Sequence, residues 1–105
     1  MDLTLGIGKS LGYRKLTVST TAVGLSDATD PSTASAPAIP AGARYCALVV
    51  KSFALNVRDD GVNPTSTVGF PLAANDSIAV QRVSNDLKFI RTEGTDAIVH
   101  LWYFD

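Results

Sequence analysis

RYCALVVKSFALNVRDD, residues 44–60, is the stretch whose reading decides the fold. Tyr45 to Val50 is apolar throughout, and Phe53, Leu55 and Val57 then alternate with Ala54, Asn56 and Arg58. A period of two is the spacing of a strand with one buried face, so one central strand is expected here. Asp59-Asp60-Gly61 closes it with a turn signal. Its expected neighbour is AIVHLWYF, Ala97 to Phe104, where Val99, Leu101 and Tyr103 share one face and Ile98, His100, Trp102 and Phe104 the other. Both faces are apolar, which predicts cover on both sides: the core on one, and a second layer, the N-terminal arm or a partner subunit on the other.

Outward from these two runs the pattern stays extended. Lys15 to Thr21 alternates, with Leu16 and Val18 on one side, and Val23 and Leu25 extend it after a kink. Ser77 to Val83 places Ile78 and Val80 together, and Leu87 to Arg91 places Leu87, Phe89 and Arg91 opposite Lys88 and Ile90. Ser26 to Ala38 has no hydrophobic period and reads as a long exposed loop. Asn63-Pro64, Gly69 and Pro71 make 61–71 irregular, with Thr65 to Val68 able to pair briefly. Short strands at this spacing, with no convincing helix, predict an all-β fold: a small antiparallel β-sandwich or barrel-like sandwich over 15–105. Residues 1–14, MDLTLGIGKSLGYR, alternate at Leu3, Leu5 and Ile7 and are then broken by Gly6, Gly8 and Gly12. They are expected to form an extended arm lying on their own domain or on a neighbouring subunit.

Composition bounds the function. The chain has 105 residues and a formal net charge of −1. That is one domain without the basic excess by which proteins grip phosphate backbones, so no nucleic-acid partner is expected. Near-neutrality leaves little repulsion against self-association. No apolar run approaches the ~20 residues that span a bilayer, so no membrane partner is expected. Cys46 is the single cysteine. It reads as a buried small hydrophobe, and synthesis in a reducing cytoplasm is expected because no basic region followed by a long apolar run opens the sequence.

Candidate chemistry is thin. Gly6-Ile7-Gly8-Lys9-Ser10 ends like a phosphate-binding loop, but the required earlier glycine is Leu3. His100 is the one histidine, set among Leu101 and Trp102, and reads as a hydrogen-bonded strand residue. Asp59 and Asp60 are adjacent and would point apart on a strand, so they are read as turn formers. Convergence of Asp59, Asp60, Asn63 and Asp76 on calcium is the weaker alternative. Trp102, Tyr103 and Phe104 are read as core. No catalytic residue, cofactor or metal is assigned.

The order of several short motifs resembles a group of small tailed-bacteriophage virion proteins. Asp60-Gly61, then Pro64-Thr65, Gly69 and Pro71-Leu72 match a D-G turn followed by P-T-x-x-x-G-x-P-L. Phe89-Ile90, Gly94-Thr95 and Ala97 match the closing hairpin, while TVSTTAVGL and ARYCALVV fit the opening strands, so the resemblance covers about residues 16–104. It implies a β-sandwich in the virion, made in the host cytoplasm, head-associated or decorating, with no enzymatic role. The expected function is therefore a capsid decoration or cement protein. Its expected partners are itself, as a homotrimer, and the major capsid or another virion protein. The interface is expected at Leu3, Leu5, Ile7, Leu11 and Tyr13 of the arm and at Val62, Pro64, Val68 and Phe70 of the 61–72 loop. The alternative is a receptor- or glycan-binding module of a tail or fibre.

Overall fold

Ala97–Phe104 is the strand around which the first sheet is laid. The computed structural model describes residues 9–105. Among the described residues eight strands run β1 Ser10–Val18, β2 Val23–Gly24, β3 Tyr45–Ser52, β4 Leu55–Arg58, β5 Phe70–Leu72, β6 Ser77–Val80, β7 Lys88–Arg91 and β8 Ala97–Phe104, with one short 3₁₀ turn at Leu25–Asp27. They form two four-stranded sheets, β1-β8-β3-β6 and β2-β7-β4-β5. Every pairing is antiparallel. The chain is thus an antiparallel β-sandwich of two sheets.

The two sheets meet over one apolar core. In the first, Leu16 lies opposite Val99 on β8, and Cys46, Leu48 and Val50 of β3 lie opposite Tyr103, Leu101 and Val99. These side chains pack against Leu55, Val57, Leu72, Leu87 and Phe89 from the second sheet and its connections. The alternation read in β8 holds, since Val99, Leu101 and Tyr103 are all fully buried.

The central run departs from the expected single strand. It is two strands in opposite sheets. β3 ends beyond a bulge near Val50 to Ser52, and Phe53 adopts φ +63°. That left-handed residue turns the chain out of the first sheet and into β4 of the second. A bulky side chain is rarely found there, so the pattern of residue types hid the switch.

The N-terminal boundary also differs. β1 begins at Ser10, and residues 10–14, expected in the arm, pair with β8 along with the rest of the strand. Gly12 sits at the register shift near its start, with φ +140°. Arg14 points into the sandwich and is 5% exposed. Its Nε donates to Pro37 O (2.9 Å), its Nη1 donates to Tyr13 O (2.8 Å), and Asp30 lies 3.6 Å away. These contacts, with a Lys15–Thr29 bridge, fasten the 26–38 segment over the outer margin of β1. The expected residues 1–8 of the arm lie outside the described residues.

The loop between β4 and β5 is closed on itself. Thr65 N–H donates to Val68 O (2.9 Å) and Val68 N–H to Thr65 O (3.3 Å). Buried Asn56 donates from Nδ2 to Thr65 O at 3.0 Å. Gly69 (φ +151°) lies so close that an added Cβ would stand 2.8 Å from Asn56 Cβ and 3.2 Å from Pro64 Cβ. Pro71 is accommodated because β5 is an edge strand.

Candidate interaction surface

The second face of β8 is the chemically unusual surface of this molecule. Strand alternation sends Ile98, His100 and Trp102 away from the core. Registered beside them are Thr17, Lys15 and Tyr13 of β1, and Val49 and Ala47 of β3. A β-branched and aromatic composition made these strands, and the same residues now present aromatic rings to solvent. Trp102 is 39% exposed and Tyr13 36%.

These rings are held in place. Tyr13 and His100 stack with centroids 5.4 Å apart, and the Tyr13 hydroxyl is hydrogen-bonded to His100 Nδ1. Trp102 Nε1 donates to Ser10 Oγ at 2.6 Å, while its ring lies nearly parallel to Phe104, at 10° and 6.3 Å. Arg44 stands over the Tyr45 ring at 5.8 Å. Between Tyr13, Trp102, His100, Ala47 and Val49 lies a shallow apolar depression of about 240 Å³.

Electrostatically the patch is mildly cationic. Partial burial, then Lys51 and Lys15, push the His100 imidazole below its usual pKa. The neutral ring is therefore favoured beside the Tyr13 hydroxyl, whose own pKa is raised by burial. His100 is a hydrogen-bonded strand residue here, its partner being the Tyr13 hydroxyl.

The expected interface residues are not brought together. Leu3, Leu5 and Ile7 lie outside the described residues. Leu11 is half-buried and packs against the core of its own domain. Tyr13 joins the outer face of the first sheet. Pro64, expected at the surface, is fully buried, because the closed loop folds it against Gly69 and Asn56. Val62 and Val68 are each 51% exposed and Phe70 67%, all on the side of the second sheet. Asp60 is held by Arg58 (3.0 Å to Nε) and Asp59 lies 3.7 Å from Arg82, so both acids face cations rather than each other.

Trp102, Tyr45 and Ala47 were the members that residue types did not assign. Trp102 was expected in the core with Tyr103 and Phe104; those two are buried, and Trp102 is on the outer face. The signal that could have found it was the apolar character of both faces of 97–104. No protein-family model matches the chain, and no curated protein or solved structure matches it.

Proposed function

We propose that this chain is a non-enzymatic structural protein that works through its surfaces: a decoration or cement component of a virion, binding copies of itself and a shell protein. The observation that carries the reading is the exposed, pre-positioned aromatic face of β8 and β1. Trp and Tyr are the residues that dominate binding energy at protein interfaces. Rings already fixed by Ser10 and by the Tyr13–His100 stack lose little freedom on docking, which lowers the cost of association. The finer assignment to a virion rests on the order of motifs over about residues 16–104. The sequence-based expectation of copies grouped in threes belongs to the same proposal.

The test is co-sedimentation of the full chain with shells that lack it, alongside mass-spectrometric copy counting in purified particles. Binding at many copies per particle is expected. Trp102→Ser should reduce occupancy at least about tenfold, the scale of a lost aromatic anchor, with an unchanged far-ultraviolet circular dichroism spectrum. A chain that stays in the supernatant, or a Trp102→Ser variant that binds as well as the parent, refutes the reading.

A further inference from the structure

The face of the first sheet that carries Trp102 holds charge of one sign. Strand alternation puts Lys15 on it, in a cross-strand row with His100 of β8 and Val49 of β3. Lys51 follows Val49 along β3. Both lysines are exposed, and both ammonium groups act on the His100 ring. Arg44 stands over the Tyr45 ring at the other end of β3. Cations therefore bracket the aromatic residues over ~20 Å, at ~3.4 Å per residue from Tyr45 to Lys51. Among the described residues the ion pairs engage Arg14, Arg58, Arg82 and Arg91, and none of Lys15, Arg44 and Lys51.

The carboxylates at the margins of this face are turned to other partners. Asp30 lies 3.6 Å from Arg14, and Asp96 accepts from Arg91 at 2.6 Å. Asp76 accepts from Ala73 N–H and Asp105 from Lys9 N–H, each at 2.7 Å. Whatever covers Tyr13 and Trp102 also crowds the two ammonium groups beside them. Taking a charge out of water without a counter-charge costs more than the neighbouring apolar contact contributes. The occupant therefore has to bring the anions. A second copy of this chain has, among the described residues, no carboxylate turned outward here, and it would set cation towards cation. Nucleic acid fits less well than protein. Trp102 lies against Phe104 and Tyr13 against His100, ring to ring, so bases would meet ring edges more than open faces.

We propose that this face docks an acidic protein surface: an apolar side chain seated in the depression between Tyr13, Trp102 and Val49, flanked by carboxylates that meet Lys15 and Lys51. This rests on the surface-binding function proposed above and names the chemistry of the partner. It also divides the two contacts of that proposal. The face of β8 and β1 goes to the shell protein, and copies of the chain meet elsewhere. The net charge of −1 gives the whole molecule no general attraction for anions, so the steering is local to this face.

The test is co-sedimentation of the full chain with shells that lack it, paired with sedimentation equilibrium of the chain alone. Lys15→Glu combined with Lys51→Glu should weaken shell binding at least about tenfold at low salt, since like charges then face each other across the contact. Lys15→Arg combined with Lys51→Arg should bind like the parent. Parent and double-Glu variant should converge between ~0.1 M and ~1 M salt, as the screening length falls from ~10 Å to ~3 Å. Both lysines are exposed, so the variants should keep the parent's far-ultraviolet circular dichroism spectrum and oligomeric state. Shell binding that is indifferent to the double charge reversal overturns the acidic partner and leaves the proposed function standing. Loss of self-association in the double-Glu variant overturns it too, because a second copy then occupies the face. So does release of the parent from shells by oligothymidylate that binds it directly. A chain that binds shells under no condition overturns both this inference and the function on which it rests.

Discussion

Replacing Tyr103 by Phe should stabilise this protein. Tyr103 is fully buried on β8, and its hydroxyl has no hydrogen-bond partner among the described residues. Burial pushes its pKa well above the ordinary value for a phenol, with Cys46 adding to the rise and Arg14 opposing it. A buried polar group left without a partner costs roughly 1–3 kcal/mol. Tyr103→Phe removes that group and keeps the ring that fills the space between Cys46 and Leu101. The expected gain is about 1 kcal/mol at neutral pH, equivalent to ~4–8 °C in melting temperature for a domain of this size. Urea unfolding followed by circular dichroism should show a higher midpoint with an unchanged slope, since the surface exposed on unfolding hardly changes. The variant should gain further at high pH. A folded-state pKa raised above the unfolded one contributes stability that is present below the unfolded pKa and lost as pH rises past it. The parent therefore loses stability above pH ~10, the unfolded tyrosine value, and Tyr103→Phe loses less. A loss of 1 kcal/mol or more at neutral pH would show that the hydroxyl is satisfied in solution and that the reasoning is wrong.

Burial raises the Cys46 thiol to about 12, against a small lowering by the Trp102 backbone. The parent should thus lose stability above the thiol's ordinary pKa with a slope approaching ~1.4 kcal/mol per pH unit, and Cys46→Ala should flatten that slope in urea titrations at stepped pH. Gly69→Ala should cost ~1–3 kcal/mol, because a side chain must both adopt φ +151° and displace Asn56, while Gly94→Ala, with open space around its Cα, should stay within ~0.5 kcal/mol by thermal melting. At Phe53, which is 41% exposed with φ +63°, the Gly variant should exceed the Ala variant by about 1 kcal/mol in urea unfolding; equal stabilities would mean that the left-handed conformation is absent in solution.

Much of the sandwich could be read from residue types because period-two burial is a local signal. Leu16 and Val18, Ile78 and Val80, and Val99, Leu101 and Tyr103 all face inward as their alternation requires. The Phe53 switch could not be read, because a left-handed phenylalanine is selected by the packing of two sheets rather than by its own preference. The strand at Phe70–Leu72 was obscured by Pro71, which is tolerated only once β5 is known to be an edge. The surface was the least legible part. Pro64 looks like a loop-tip residue until the Thr65–Val68 closure tucks it beneath Asn56, and Trp102 looks like core until the second sheet is seen to cover only one side of β8.

The passage of the backbone through Ser52, Phe53 and Ala54 has a mechanical consequence. Two layers joined only by greasy side chains can slide when pulled sideways. Here the central ribbon of one layer is covalently continuous, within three residues, with an inner ribbon of the other. Tension entering at Tyr45 is handed to Leu55 along the main chain, so shearing the layers apart requires straightening that elbow and breaking hydrogen-bonded ladders on both sides of it.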